Sequence, residues 1–353
     1  MINYKDKTVQ EDLEEIIKSD QIAWDKLKDK RVLITGASGM LATYLVYVLA
    51  KLNETFNYNI QILATGRNRG KLEKKFQGLT DSNVLLIQHD VATPFAFDEN
   101  IDYIIHAASN ASPHFILTDP VGIIRANVLG TSNLLEFSRS QKLENFLFLS
   151  TREIYGKAIS ELISEESYGG FDILESRACY PESKRMAETL LKSYSDQYSL
   201  PFTIARIAHS YGPGMELAGD GRIMSDLLSN VVNGENIILK SDGRAERAFC
   251  YLSDAVAGIF TILLNGEDGN AYNIANEEEP IEIRTLAQKL VDLFAEKELK
   301  VMFDIPETMS KGYSQMGRTR LDTRKLEKLG WKKKVPLDVG LVKTVRSFEE
   351  KNG

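Results

Sequence analysis

At 353 residues, 43% of them apolar, the chain exceeds one average domain, so a large domain with a smaller companion is expected. A formal charge of -7 argues against a nucleic-acid or anionic-membrane surface. The two cysteines, Cys179 and Cys250, stand far apart without metal-ligand company, so neither a disulfide framework nor a metal site is expected. No run of about 18 apolar residues occurs, and residues 1–31 lack the apolar core of a signal peptide, which together fit a cytoplasmic protein with nothing in a membrane.

Between residues 9 and 29, Val9, Leu13, Ile16, Ile17, Trp24 and Leu27 recur among charges. This predicts one or two amphipathic helices ahead of the first strand, acting as a packing flap or dimer contact. Arg31-Val32-Leu33-Ile34-Thr35 is a short apolar run ending at Gly36, and an apolar helix is expected from about 40 to 52. The turn between them reads Gly36-Ala37-Ser38-Gly39-Met40-Leu41-Ala42, with small residues at its first, fourth and seventh positions. Glycine permits the tight turn and lets the backbone approach a pyrophosphate, whose charge then rests on the amides at the helix N-terminus. Gly36, Ser38, Gly39, Met40 and Leu41 are therefore cofactor-binding candidates. Runs at 60–65, 84–87, 101–105 and 145–149 read as four further strands, with a helix near 121–141 before the last. Such alternation predicts an α/β fold built on a Rossmann-type doubly wound parallel sheet.

At the end of the second strand an NAD enzyme carries an acid for the adenosine ribose diol, yet Thr65-Gly66-Arg67-Asn68-Arg69 offers none. Arg67 suits a 2'-phosphate instead, so NADP is expected in preference to NAD. Asp90 and Val91, after the third strand, are placed at the adenine edge, and Ala107 and Ala108 beside the cofactor. His106, a lone imidazole closing an apolar strand, reads as structural.

Chemistry gathers at Tyr180-Pro181-Glu182-Ser183-Lys184, read with Ser150-Thr151-Arg152-Glu153-Ile154-Tyr155-Gly156. On the first turn of a helix, Tyr180 and Lys184 share one face. A free phenol, with a pKa of about 10, is no base at neutral pH. A neighbouring ammonium favours the phenolate and brings it toward the working range.

The motifs Gly36/Gly39/Ala42, Asp90-Val91, His106-Ala107-Ala108, Asn127-Val128-Leu129-Gly130-Thr131, Thr151 with Glu153-Ile154-Tyr155-Gly156, and Tyr180 with Lys184 follow one another in order. Arg206 with Tyr211-Gly212-Pro213, and Arg247 with Tyr251-Leu252-Ser253-Asp254, continue the series. Over roughly 31–345 the chain thus resembles the extended short-chain dehydrogenase/reductase family of nucleotide-sugar epimerases and dehydratases. Residues 165–170, 177–180, 184–189, 220–225 and 247–251 are most similar to the UDP-glucuronate decarboxylases.

The resemblance implies NAD(P)-dependent hydride removal from C4 of a nucleotide-diphosphate hexose. Tyr180 would take the C4 hydroxyl proton, Lys184 would lower the phenol and hold the nicotinamide ribose, and Thr151 would bond the same hydroxyl. Glu153 joins the catalytic set and Asn127 the cofactor contacts. Arg152, His209, Arg222 and Arg247 are expected on the substrate, with Arg247 on the diphosphate and Arg244 a further cation. Two positions depart from the family's pattern: Arg152, where relatives carry Ser or, in 4,6-dehydratases, Asp, and His209, where many carry Asn. A guanidinium keeps its proton, so Arg152 cannot be the acid that eliminates a C6 hydroxyl. UDP-glucuronate decarboxylation leads, while 4-epimerisation and NADPH-dependent 4-ketoreduction stay open. A catalytically silent NADP-binding relative is the rival of another class, opposed by the joint presence of Thr151, Tyr180 and Lys184.

The expected organisation is a helical extension over 1–30, a Rossmann domain over 31–205 with return elements near 248–265, and a nucleotide-sugar domain over 206–247 and 266–353. In that second half Asp254 is expected to cap a helix, 270–275 to form a strand of the small domain, 283–293 a helix, and Asp322 and Thr323 a helix start. A homodimer through helices near 121–141 and 182–197 is expected, as in relatives.

Overall fold

The structure is a computed structural model, and it describes residues 2–79, 83–157, 160–217, 219–305 and 319–349. Its centre is a parallel seven-stranded sheet. In chain order the strands are β1 (Arg31–Thr35), β2 (Gln61–Gly66), β3 (Val84–Gln88), β4 (Tyr103–His106), β5 (Asn145–Thr151), β6 (Phe202–Ile207) and β7 (Asn270–Ile274). They lie side by side as β7-β6-β5-β4-β1-β2-β3. The central strands are apolar on both faces because helices cover both faces, and β4 and β5 are buried along their whole length.

Alternation within each strand sends side chains to two separate cores. On one side Val32, Ile34, Ile62 and Ala64 meet helices Met40–Phe56 and Leu252–Asn265; on the other Leu33, Leu63, Ile104 and Phe146 meet Gly130–Ser138 and Cys179–Tyr198. A third core, with Tyr211, Met224, Leu228, Leu286, Leu290 and Leu341, joins helices Ile223–Asn233, Ile283–Leu293 and Leu337–Glu349 into the smaller part.

Strand order reverses between β1 and β4, where Thr35 stands opposite His106. Successive connections leave this point toward opposite edges of the sheet, which opens a crevice at the carboxyl ends of the strands. Both the glycine turn and Ala107-Ala108 lie there.

The charged start of the chain folds as helix Lys7–Ile17 and a short turn of helix at Trp24–Leu27. Val9, Leu13, Ile16 and Ile17 are buried, and Trp24 packs on Phe260 with ring centroids 5.1 Å apart. Asp12 is 1% exposed. It accepts from Tyr251 Oη at 2.8 Å, Tyr44 Oη at 3.3 Å and Lys343 Nζ at 2.7 Å, tying this helix to the sheet layer and to the last helix.

Two expectations are corrected. Residues 270–275 do not belong to a small domain: Asn270–Ile274 pairs parallel to β6, Tyr272 opposite Ala205, and closes the main sheet. Asp254 is not an N-cap, since Tyr251 holds that position. Its carboxylate sits in the first turn and accepts from the amides of Lys334 at 3.0 Å and Val335 at 3.0 Å, anchoring a distant loop. The helix near 121–141 is present but interrupted by a π-turn at Arg125–Leu129, a local widening frequent at functional sites. Among the described residues no helix is long and apolar enough to cross a membrane, and no cluster of His, Cys, Asp and Glu is placed to hold a metal ion.

Candidate active site

The glycine turn meets the end of β4 as its sequence demands. Gly36 has φ +64°, and a Cβ there would stand 2.7 Å from Ala108 Cα and 2.9 Å from Ala108 N, so only glycine fits. Gly39 caps helix Met40–Phe56, and the first amides of that helix, Met40 and Leu41 among them, have no partner within it. Thr35 Oγ1 holds the other wall, accepting from Ala107 N at 3.2 Å and Ala108 N at 3.3 Å and meeting His106 Nδ1 at 2.7 Å. Burial, with Lys184 adding, brings His106 down to about 3, so the ring is neutral and structural.

Further along the crevice, Asn127 lies in the π-turn, fully buried, and donates Nδ2 to Ser183 Oγ at 2.9 Å. Its Oδ1 and the Ser109 Oγ are buried without a hydrogen-bond partner. A glycine turn too tight for any Cβ, free helix-start amides and unpartnered buried acceptors fit a dinucleotide lying across the strand ends. Val91 is buried under Gly130, while Asp90 and Arg67 are exposed at the ends of β3 and β2. Arg69 is drawn away by Glu73, at 2.8 Å.

Helix Cys179–Tyr198 carries the candidate pair, Tyr180 and Lys184. Pro181, which lacks a donor, suits the first turn, where amides have no helical acceptor. Tyr180, 5% exposed, and Lys184, 3% exposed, follow one turn apart. Thr151 Oγ1 accepts from Glu153 N at 3.2 Å, leaving its own proton to donate toward the Tyr180 phenol. Burial holds that phenol well above its ordinary value and Glu153 adds to this, while Thr151, Arg222 and Arg177 act the other way. Lys184 is turned to the strand: its Nζ donates to Leu149 O at 2.6 Å and lies 4.4 Å from the centroid of Phe148. Burial lowers this ammonium to about 7, with Glu188 opposing. The cations facing the phenol are thus Arg222 and Arg177, and Lys184 meets the strand end beside it.

The four expected substrate contacts come together on the far wall. Arg152 Nη1 reaches His209 Nε2 at 3.2 Å and its Nη2 reaches Thr319 Oγ1 at 2.9 Å. Burial pulls the Arg152 guanidinium below its usual range, Glu277 opposing and Arg247 adding. Burial, then Arg152, Arg247 and Arg222, brings His209 down to about 3. A neutral ring that accepts at Nε2 carries its proton on Nδ1. Three guanidiniums around one uncharged imidazole make a concentration of positive charge suited to an anion. Arg222 is bridged to Asp220, and Arg247 donates only to the Glu246 carbonyl, at 2.8 Å, among its described contacts. Arg244 is exposed beside Asp242 and stands apart.

Glu153 is bound by Arg177 Nη2 at 2.9 and 3.1 Å, so neither it nor Arg152 pairs with its chain neighbour. The contributions of Arg177, Ser183 and Thr319 were missed from sequence. A contact between two loops 24 residues apart leaves no periodic trace, although Arg177 stands three positions before Tyr180.

The model of the NAD dependent epimerase/dehydratase family matches residues 32–275. The chain belongs to this family. It is accordingly an NAD(P)-dependent enzyme of the epimerase/dehydratase type. Among curated relatives it is 33% identical to UDP-glucuronic acid decarboxylase 5 of Arabidopsis thaliana, over 88% of this chain and 87% of that protein. It is 32% identical to UDP-glucuronic acid decarboxylase 1 of Xenopus tropicalis, over 91% of this chain and 72% of that one. The fold of this family member is shared with UDP-glucose 4-epimerase of Thermotoga maritima, solved with UDP-glucose (TM-score 0.76, 22% identity, 92% of this chain and 100% of that one). It is shared also with UDP-glucuronic acid 4-epimerase of Bacillus cereus, solved with UDP-glucuronic acid and NAD (TM-score 0.75, 21% identity, 91% of this chain and 99% of that one).

Proposed function

We propose that the enzyme oxidises C4 of a nucleotide-diphosphate hexose and that its net reaction is decarboxylation of UDP-glucuronate. The observation that carries this is the meeting of Tyr180, Thr151 and Lys184 at the end of β5 with Arg152, Arg222 and Arg247 around a neutral His209. Gly36, Ser38, Gly39, Met40 and Leu41, with Asp90, Val91, Ala107, Ala108 and Asn127, would hold a nicotinamide dinucleotide, which when bound supplies the hydride acceptor for C4. Tyr180, in the phenolate form that Arg222 and Arg177 favour, takes the C4 hydroxyl proton, and Thr151 turns its one proton from the phenol to the same oxygen. Once C4 is a ketone, a C5 carboxylate is a β-keto acid. Its C5–C6 electron pair passes toward the C4 oxygen as carbon dioxide leaves, and the phenol and the threonine hydroxyl stabilise the charge that develops there. A proton taken up at C5 restores the C4 ketone, and return of the hydride to C4, with the Tyr180 proton going back to the C4 oxygen, would leave the loss of carbon dioxide as the only net change. Arg152 is no acid for eliminating a C6 hydroxyl, which opposes dehydration. Arg247 and Arg222 hold the diphosphate, and Arg152 with His209 the sugar acid.

The finer cofactor reading is NADP in preference to NAD, supported by Arg67 and by the lack of an acid between Thr65 and Arg69. The assembly we propose is a homodimer, supported by the exposed Leu117, Val121, Ile124, Leu129 and Met186 on the helices beside the site. Incubation with UDP-glucuronate, UDP-glucose and dTDP-4-keto-6-deoxyglucose, with NAD or NADPH, followed by product mass, tests the reaction. Loss of the mass of carbon dioxide from UDP-glucuronate supports decarboxylation. Unchanged mass with altered retention moves the assignment to 4-epimerisation, and a gain of two hydrogens to reduction. Tyr180→Phe is expected to lower turnover by about 10²–10⁴; turnover equal to the parent's would remove Tyr180 as the base.

A further inference from the structure

Glu188 stands one helical turn beyond Lys184 and has no part in the chemistry above. Its side chain is 12% exposed. Oε1 accepts from Ser150 Oγ at 2.5 Å and Arg206 Nε at 3.2 Å, and Oε2 from Arg206 Nη2 at 2.7 Å. Lys184 Nζ meanwhile donates to Leu149 O at 2.6 Å. Two successive residues of β5 therefore grip two successive turns of the Tyr180 helix, and the next residue of the strand is Thr151. Arg206 extends the grip outward, its Nη1 donating to Tyr155 Oη at 3.0 Å and Glu165 O at 2.7 Å. Removing two charges from water offsets most of the attraction inside a buried ion pair. Net stability is therefore a poor reason for placing this pair here.

We propose that Glu188 is a positioning residue of the site: it fixes the Tyr180 helix on the end of β5 and supplies the negative charge that keeps the Lys184 ammonium charged. This rests on the C4 chemistry proposed above. The groups around Lys184 leave that duty to Glu188 alone. On its own helix stand Tyr180 and Glu188; β4 presents His106, a neutral ring; β6 presents Arg206, already bound to Glu188; and β5 presents a carbonyl and a phenyl ring. Glu188 is the one anion among them. Burial draws Lys184 down to about 7 even with Glu188 opposing. Removing the carboxylate charge disfavours the ammonium further, so the titration moves to lower pH.

Protein labelled with ¹⁵N-lysine, the Lys184 signal assigned by its loss in Lys184→Arg, is titrated with and without Glu188→Gln. A midpoint lower by about one pH unit is expected; a midpoint that does not move overturns the proposal. Glu188→Gln leaves the Arg206 guanidinium without its carboxylate, so the double variant Glu188→Gln/Arg206→Met, which leaves no guanidinium unpaired, gives the second reading. A smaller fall is expected there, because Arg206→Met also removes a cation beside Lys184, and a midpoint above the parent's overturns the proposal. Glu188→Asp is expected to hold the midpoint near the parent's. The titration needs no substrate, so a shifted midpoint in a protein that leaves every nucleotide sugar unchanged would defeat the C4 reading and not the role of Glu188 toward Lys184. With UDP-glucuronate, the limb of the kcat profile that falls with rising pH should shift by the same amount.

Discussion

Gly36→Ala tests the cradle where β1 and β4 diverge. The native φ of +64° places an L-residue in the left-handed region, at a cost of roughly 1–2 kcal/mol. The added methyl would then meet backbone on the opposite wall, 2.7 Å from Ala108 Cα, 2.9 Å from Ala108 N and 3.0 Å from Ala107 C. Backbone cannot rotate aside as a flexible side chain can, and overpacking of this kind costs about 1–3 kcal/mol. The sum, about 2–5 kcal/mol, corresponds to a melting temperature lower by about 4–10 °C at some 2 °C per kcal/mol for a chain this large. The strain is relieved only by parting the glycine turn from Ala107-Ala108, which widens the seat of the dinucleotide. Thermal melting by circular dichroism and fluorescence titration with NAD and NADP measure both effects, and dinucleotide affinity is expected to fall at least about tenfold. A variant that melts within about 1 °C of the parent and binds dinucleotide equally would refute the close approach.

Asp254 gives a pH signature. Burial raises its carboxyl from 3.8 to about 6, the amides of Val335 and Lys334 opposing. The folded protein therefore holds this proton more tightly than the unfolded chain, so the contribution is complete below about pH 4 and lost as pH rises through 6. The loss amounts to about 3 kcal/mol. Urea denaturation across pH 4 to 6 should show it, and Asp254→Asn should flatten that slope; an unchanged slope would assign it to other groups. Arg247→Met is expected to raise the KM for a nucleotide sugar about tenfold or more with kcat nearly kept, because a diphosphate contact is made equally in ground and transition states. Its thermal stability should equal or exceed the parent's, since the change relieves repulsion on Arg152, and a loss confined to kcat would place Arg247 at the reacting carbon instead.

The sheet was legible because its strands are short apolar runs between polar turns, and the glycine turn because few residues can make it. Tyr180 and Lys184 were legible from their spacing together with the motifs around them. What the chain does not spell out is address. Asn270-Ala271-Tyr272-Asn273-Ile274 has the length and pattern of a strand, yet its place at the edge of the main sheet depends on β6 already being there. Asp254 has the residue type of a cap, but the amides it serves arrive from residues 334 and 335, about 80 positions later. The partner of Glu153 was open for the same reason, since Arg177 reaches it only after the loop between them has folded back. Side-chain direction was hidden too: four-residue spacing puts Lys184 beneath Tyr180, but burial and the Leu149 carbonyl decide where its nitrogen points.

The bond between Asp12 and Lys343 sets an order of events during synthesis. Until residue 343 has left the ribosome, the buried carboxylate of Asp12 lacks its cationic partner. Helix Lys7–Ile17 can settle on Tyr44 and Tyr251 first, but its tie to helix Leu337–Glu349 waits for a residue made more than three hundred positions later. Translation interrupted before that residue would therefore leave a finished sheet beside a buried carboxylate with no cation, an invitation to chaperones or proteases.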